Sequence, residues 1–300
     1  MKKAVEDTRV EQEPVSIVVP AYNEEKGIRP VLIEIDRVLK EAGVEAEILV
    51  VDDGSDDATA DEAAKAAASV IVLRHRENLG YGAALKTGFR HARYDWVAII
   101  DADGTYPAPD LIRILAQRPD NDMVVGARTG MNVHIPLIRR PAKWVLRRLA
   151  NYLSKRTIPD LNSGLRTIRK ALVERYMGLF PNGFSLTTTV TLALLVGGYQ
   201  VQFVPIDYRR RTGRSKIRPI RDTLGFATLI LRTVIFFNPL RVFIPLSLFF
   251  MLAGLLVGLL SWIYLPRVLD ATTSMLVLTG VQMGAVGMLA DLIARRNGSP

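Results

Sequence analysis

Val97-Ala98-Ile99-Ile100-Asp101-Ala102-Asp103 is an apolar run of strand length that ends abruptly in two carboxylates one residue apart. A buried strand needs no charge at its end, yet two acids emerge where this one leaves the core. Hard divalent cations such as Mg²⁺ or Mn²⁺ favour carboxylate oxygens, usually one or two of them together with phosphate oxygens of a substrate. The pattern therefore points to a diphosphate bridged by a metal at Asp101 and Asp103, with a solvated Asp-x-Asp turn as the alternative reading.

Two earlier segments repeat the design. Ile17-Val18-Val19-Pro20 runs into Ala21-Tyr22-Asn23-Glu24-Glu25, and Ile48-Leu49-Val50-Val51 runs into Asp52-Asp53-Gly54-Ser55-Asp56-Asp57. Each reads as a buried parallel strand opening into a polar loop. In open α/β sheets ligands sit beyond the carboxyl ends of the strands, so three acidic loops at three strand ends read as one site. Between Val15 and about Gly126, strands near Ile17, Ile48, Ile71, Val97 and Met123 alternate with helical stretches at Glu24–Glu41, Thr59–Ala68, Tyr81–His91 and Pro109–Gln117. That alternation predicts an α/β domain whose parallel sheet is covered on both faces.

Composition narrows the class. The chain has 300 residues, a formal net charge of +9 and no cysteine, which excludes a disulfide framework or a thiolate metal site. The three histidines, His75, His91 and His134, lack ligand-like spacing and read as surface or packing residues. The charged N-terminus, residues 1–13, is expected to be a flexible extension without a cleaved signal. A basic chain with a positive mean hydropathy of +0.18 fits an anionic membrane surface better than nucleic acid, and no nucleic-acid motif is present.

The second half carries the membrane signals. In Pro136–Arg156, Leu137, Trp144, Val145, Leu149, Tyr152 and Leu153 recur at helical spacing, interleaved with Arg139, Arg140, Lys143, Arg147, Arg148 and Lys155. This predicts a helix at the lipid headgroup boundary, or else an ordinary surface helix packed on its own domain. Residues 217–239 form a second amphipathic stretch, expected to lie along the membrane. Val242–Leu265 and Ala271–Ala290 then contain no charge at all. A bilayer core needs about 20 apolar residues as helix, so residues 240–300 are read as a transmembrane hairpin. Basic residues between Arg209 and Arg241, and Arg295 with Arg296, flank it, whereas its loop offers only Arg267, offset by Asp270. By the positive-inside rule both ends of the hairpin, and the catalytic domain, are expected to be cytoplasmic, in the plasma membrane.

PAYNEE at Pro20–Glu25, VDDGSDD at Val51–Asp57, NLGYGAALKTG at Asn78–Gly88 and DADGTYP at Asp101–Pro107 resemble the family 2 glycosyltransferases. With NSGLR at Asn162–Arg166 and GRSK at Gly213–Lys216, the chain resembles their polyisoprenyl-phosphate branch, the dolichyl-phosphate mannose and glucose synthases. The resemblance covers roughly residues 14–216, taken as the catalytic domain, and implies a GT-A fold, with a Rossmann-like half that grips a nucleotide.

It also implies a donor site. Asp103, with Asp101 nearby, would hold Mg²⁺ or Mn²⁺ against the departing diphosphate. Asp52 and Asp53 are placed to meet the base or ribose, and Pro20, Ala21, Tyr22 and Glu24 to line the same pocket. Asp56 and Asp57 are read as a cap for the next helix. Gly80 and Gly82 would let a phosphate approach the backbone, and in many family members a basic residue near Lys86 approaches the donor.

An absence points to the acceptor. Related transferases that act on sugar hydroxyls present an acid downstream as general base, whereas the corresponding Gly183-Phe184-Ser185-Leu186-Thr187-Thr188-Thr189 has none. A hydroxyl needs a base; a phosphate monoester, with a second pKa of about 6, is already largely ionised. A phosphate acceptor needs cations instead, and Arg128, Arg166, Arg211, Arg214 and Lys216 supply them, arginine being suited to bidentate contact. The resemblance assigns Arg166, with Ser163, to the acceptor phosphate site, and Ser215 lies within the GRSK motif. Asp160 is read as a base or, preferably, an orienter. Gly104-Thr105-Tyr106 departs from the Leu-Gln-His type triplet of many mannose synthases, which leaves the third metal ligand open.

The expected activity is inverting transfer of a hexose, from GDP-mannose or a UDP-hexose, to a polyisoprenyl phosphate at the cytoplasmic membrane face. Transfer to another lipid such as a diacylglycerol, or nucleotide-sugar binding without turnover, are the alternatives. Self-association is left open.

Overall fold

The computed structural model describes residues 13–129, 148, 151, 156–183, 185–209, 235–236, 238–264 and 270–296. The expected interface helix at 136–156, the stretch 217–239, the GRSK motif and the N-terminal extension fall outside these residues wholly or nearly so.

Among the described residues seven strands form one sheet: β1 (Val15–Ala21), β2 (Ala46–Asp52), β3 (Val70–Arg74), β4 (Trp96–Ile99), β5 (Met123–Ala127), β6 (Arg166–Arg169) and β7 (Val201–Pro205). Their order is β3-β2-β1-β4-β6-β5-β7. The sequence predicts parallel pairing, and β1–β2, β2–β3, β1–β4 and β5–β7 are parallel. The exception is β6, which runs antiparallel between β4 and β5, with Ile99 opposite Arg166 and Val125 opposite the same residue. That insertion brings the NSGLR segment alongside the end of β4.

The two-residue period of β1 divides the core. Val15, Ile17 and Val19 face one layer, where Ile28, Leu32 and Ile35 of α1 (Ile28–Glu41) meet Leu111 and Ile114 of α4 (Ala108–Leu115). Val18 faces the other, with Leu85 and Phe89 of α3 (Tyr81–His91) and Leu186, Val190 and Leu194 of α6 (Leu186–Val196). The short helices α2 (Thr59–Ala64) and α5 (Lys170–Tyr176) complete the layers.

Helix α3 spans the expected residues, but α1 starts at Ile28 rather than Glu24. The intervening turn is stitched to the loop after β2: Asn23 N–H donates to Ser55 Oγ at 2.9 Å, Glu24 N–H to Thr59 Oγ1 at 2.8 Å and Glu25 N–H to Asp57 Oδ2 at 3.2 Å. Asp57 also accepts from Thr59 N–H at 3.0 Å, just before α2, whose N-cap position is Ala58 rather than the expected Asp56 or Asp57.

At the C-terminal end, α7 (Leu240–Tyr264) and α8 (Asp270–Arg296) are antiparallel. At about 1.5 Å rise per residue each exceeds the roughly 30 Å of a bilayer core. Only 11% of the most apolar stretch of each is buried within the protein. Close approach is built from small residues, as in membrane helix pairs. A Cβ on Gly280 would fall 2.5 Å from Met251 Cγ, and Ser247 Oγ donates to Gly280 O at 2.6 Å.

Candidate active site

The ends of β1, β2 and β4 carry the three acidic loops to one edge of the sheet. Asp53 is buried and gathers neighbouring backbone: Oδ1 accepts from Leu79 N–H at 3.0 Å, and Oδ2 from Gly80 N–H at 2.8 Å. His75 Nδ1 lies 2.7 Å from Asp53 Oδ1, and its Nε2 lies 2.9 Å from Thr87 Oγ1. Asp53 thereby ties the end of β2 to the start of α3, and His75 bridges it to the same helix. Asp52 is wholly buried; Oδ1 accepts from Ser55 N–H at 3.0 Å and Oδ2 sits 3.2 Å from Arg74 Nε. Pro20 and Ala21 end β1 in the core, while Tyr22 and Glu24 are half-buried beyond them.

Helix α3 opens against a tight turn. Asn182 O accepts from Gly82 N–H at 2.7 Å and Ala83 N–H at 3.1 Å. A Cβ on Gly82 would lie 2.3 Å from Pro181 O, and Gly80 has φ +101°, so glycine is required at both positions. One turn on, Lys86 Nζ donates to Asn182 Oδ1 at 2.8 Å. Burial, reinforced by the Arg90 charge, pushes the Lys86 pKa down.

The Asp101–Asp103 loop is held from both sides. Tyr81 donates its O–H to Asp101 Oδ1 at 2.9 Å. Burial and then the Asp101 charge raise the Tyr81 pKa well above the ordinary phenol, keeping that donor protonated. Asp103 Oδ1 accepts from Thr105 Oγ1 at 2.6 Å and from Thr105 N–H at 3.1 Å. Across the site, Gly164 lies directly on Asp101: an added Cβ would stand 2.4 Å from Oδ2. Gly164 N–H donates to the buried Tyr106 hydroxyl at 2.7 Å. No group of three His, Cys, Asp or Glu that could hold a metal occurs among the described residues. The donors are two carboxylates on one loop, a set that suits a hard cation completed by substrate phosphate oxygens.

Arg128 and Asp160 form a bidentate pair, Nε to Oδ2 at 2.7 Å and Nη2 to Oδ1 at 2.9 Å; Nη2 also donates to Asn162 O at 3.0 Å. The Arg128 guanidinium lies 5.2 Å from the Tyr208 ring centroid. Burial alone would raise the Asp160 pKa, but the Arg128 contacts hold it below the ordinary carboxylate value.

Arg166, which the resemblance assigns to the acceptor phosphate, lies in the wall beside Ser163. The side chain is 0% exposed. Nε and Nη2 donate to Ser163 O, and Nη1 donates to Thr187 O and Thr191 Oγ1, both at 2.8 Å. Burial pushes its pKa down to about 10, so it stays charged at neutral pH. The guanidinium is built into the wall, where it joins the buried Ser163 turn to α6 instead of presenting a fork to solvent. Thr187 Oγ1 donates in turn to Asn162 Oδ1 at 2.5 Å. Arg211, Arg214, Ser215 and Lys216 lie outside the described residues.

Tyr81 and Tyr106 are the contributors that the sequence reading does not assign. Both lie inside quoted motifs, and a tyrosine beside an acidic strand end is the signal that marks them. The His75 bridge has no such signal, because its partners are distant in sequence.

Residues 16–177 match Glycosyl transferase family 2, and residues 238–295 match the GtrB C-terminal hairpin. A dolichyl-phosphate hexose transferase of Haloferax volcanii is 33% identical over 207 residues, 68% of this chain and 87% of that protein. An undecaprenyl-phosphate 4-deoxy-4-formamido-L-arabinose transferase of Klebsiella pneumoniae is 30% identical over 53% of this chain, which spans 50% of that relative's length. Among solved structures, mannosyl-3-phosphoglycerate synthase from Rubrobacter xylanophilus shares the fold with TM-score 0.57 at 21% identity, over 74% of this chain and 72% of that one. Glucosyl-3-phosphoglycerate synthase from Mycobacterium tuberculosis, in complex with Mn²⁺, uridine-diphosphate-glucose and phosphoglyceric acid, does so with TM-score 0.56 at 22% identity, over 74% and 80%. With its hairpin the chain is an integral membrane protein, and it belongs to glycosyl transferase family 2.

Proposed function

We propose that this glycosyltransferase moves one hexose from GDP-mannose or a UDP-hexose to a polyisoprenyl phosphate at the cytoplasmic membrane face, with inversion. The observation that carries the reading is the contact of Gly164 with Asp101 in a chain that ends in a membrane hairpin. It brings the NSGLR segment, assigned to the acceptor, against the acidic loop assigned to the donor diphosphate.

In this reading the loops of Ala21–Glu24 and Asp52–Asp53 receive the nucleoside, and Lys86 lies toward the diphosphate. Asp101 and Asp103 would hold Mg²⁺ or Mn²⁺, whose chemistry when bound is to neutralise the charge that builds on the leaving diphosphate. Tyr81 and Thr105 fix the two carboxylates. The acceptor phosphate oxygen attacks the anomeric carbon as the bond to the diphosphate breaks, and no proton has to be removed first. That fits the threonines at Thr187–Thr189, where hydroxyl-directed relatives carry an acid. Arg128, oriented by Asp160, and the cations Arg211, Arg214 and Lys216 attract and position the phosphate; Arg166 supports Ser163 and Gly164 from below. The curated relatives are named for dolichyl- and undecaprenyl-phosphate, and several of the solved structures contain Mn²⁺ with a uridine diphosphate, which is in keeping with a polyprenyl-phosphate acceptor and a divalent cation.

The test is nucleoside diphosphate release by the full chain in liposomes, with a panel of GDP- and UDP-hexoses, each alone, with diacylglycerol, and with polyprenyl phosphate. Release that requires polyprenyl phosphate, and that chelator abolishes, is expected. Release with diacylglycerol only would replace the acceptor, and no release with any lipid would favour binding without turnover.

A further inference from the structure

The amides that open α3 already have partners. Leu79 and Gly80 N–H donate to the Asp53 carboxylate, Gly82 and Ala83 N–H to Asn182 O, and Ala84 N–H to Gly80 O at 3.1 Å. A diphosphate arriving there meets a helix start whose donors are engaged, so α3 has to offer charge through a side chain. Lys86 is the first cation along the helix and is half-buried; Arg90 lies a further turn away and is exposed. What aims Lys86 is a residue 96 positions later in the chain, Asn182, whose Oδ1 accepts from Lys86 Nζ at 2.8 Å.

Asn182 thus applies both of its oxygens to α3, the backbone one to the first turn and the side-chain one to the second. Its loop is held at both ends by buried residues, Phe180 and Leu186. It also presses on the helix: a Cβ on Gly80 would stand 2.6 Å from Asn182 O, and one on Gly82 2.9 Å from Gly183 O. The loop leads into α6, whose Thr187 accepts from Arg166 and donates to Asn162, so an element of the acceptor wall sets a donor-side cation. The kind of partner matters as well. An amide oxygen takes one of the three N–H donors of an ammonium and leaves its charge uncancelled. A carboxylate in the same place would pair with the ammonium and oppose the diphosphate. With neither, the lysine would lose its rotamer freedom only when the ligand binds, which lowers affinity.

We propose that Asn182 is a positioning residue for the donor: its backbone oxygen seats the start of α3, and its side-chain amide holds the Lys86 ammonium toward the diphosphate with its charge intact. This rests on the placement of Lys86 in the proposed reaction and adds the group that sets it.

The test is the dissociation constant of UDP or GDP, whichever the parent binds, with Mn²⁺ and the full chain in liposomes, beside a thermal melt. Asn182→Ala keeps the backbone oxygen, so the melt should stay near the parent's while the nucleotide binds about two- to tenfold more weakly, the range for one hydrogen bond. Asn182→Asp should weaken binding further, on the order of tenfold or more, and the added loss should shrink as salt is raised. On a Lys86→Met background, Asn182→Ala should change the constant by less than about twofold. Weaker binding by Lys86→Met with both Asn182 variants binding like the parent would overturn the positioning role and leave Lys86 at the diphosphate. An undiminished effect of Asn182→Ala on the Lys86→Met background would overturn it too, since the effect would then come from the loop alone. Lys86→Met binding as tightly as the parent would remove Lys86 from the donor site, and the role of Asn182 with it.

Discussion

Gly164→Ala adds one methyl group to the surface on which Asp101 lies. The new Cβ would stand 2.4 Å from Oδ2, 2.7 Å from Cγ and 2.8 Å from Oδ1, whereas ordinary contact begins at 3.4 Å. The carboxylate or the Ser163–Gly164 turn must therefore move by about 1 Å. Neither is free to do so without loss. Asp101 is bonded to Tyr81, and the turn is pinned by Tyr106 above and Arg166 below. Displacement of a catalytic group by about 1 Å costs on the order of a hundredfold in rate, equivalent to about 2.7 kcal/mol at 1.36 kcal/mol per tenfold. Overpacking adds roughly 1–3 kcal/mol of lost stability, small enough for the fold to persist. The assay is nucleoside diphosphate release at saturating donor and acceptor, with a thermal melt of the same sample. Gly178→Ala is the control, since a Cβ there meets nothing within 4 Å. A Gly164→Ala enzyme that turns over at the parent rate would refute the idea that Asp101 must stay where Gly164 holds it.

Three other outcomes follow from the geometry. Tyr81→Phe removes one hydrogen bond to a carboxylate, worth about 1.5–3 kcal/mol, so turnover should fall roughly tenfold or more with the melting temperature little changed; an unaltered rate would remove Tyr81 from the site. Arg166→Ala strips both guanidinium donors from the buried Ser163 O, while Thr187 O keeps the Thr191 hydroxyl; at about 1–3 kcal/mol for one orphaned group it should destabilise the catalytic domain by at least about 1 kcal/mol. A normal melt with only the acceptor KM raised would instead restore a direct phosphate contact. Asp160 has a folded-state pKa below its ordinary 3.8, so its pair with Arg128 stabilises fully above that value and the contribution is lost as pH falls through it. Asp160→Asn should therefore melt lower than the parent at neutral pH and lose less on acidification below about pH 4; parallel acid profiles would contradict the pairing.

What the sequence made legible was whatever is local. The strands β1, β2 and β4 are apolar runs that stop at acids, and α7 and α8 are long and uncharged, so both halves of the architecture could be read from pattern. Strand β6 could not. Arg166-Thr167-Ile168-Arg169 is too short and too charged to signal a buried strand, and its antiparallel course is decided by the gap between β4 and β5. Nor could α6, whose run of β-branched threonines and a valine favours strand by propensity until packing against α5 and β7 overrides it. The same limit separates Arg166 from Arg128. Both are arginines beside a polar turn, and only the fold shows that one guanidinium is spent on carbonyls and a hydroxyl while the other shares a largely buried ion pair. Tyr81 was within reach, since it lies in a motif that points at the site; the Asp53–His75–Thr87 bridge joins three separate elements and was not.

The most direct test of the acceptor assignment compares two lipids of the same prenyl length, one ending in phosphate and one in a free hydroxyl, in liposomes containing the full chain and a labelled nucleotide sugar. With no carboxylate at Thr187–Thr189 to deprotonate an alcohol, label should pass into the polyprenyl phosphate and not into the polyprenol. Efficient labelling of the polyprenol would contradict the account.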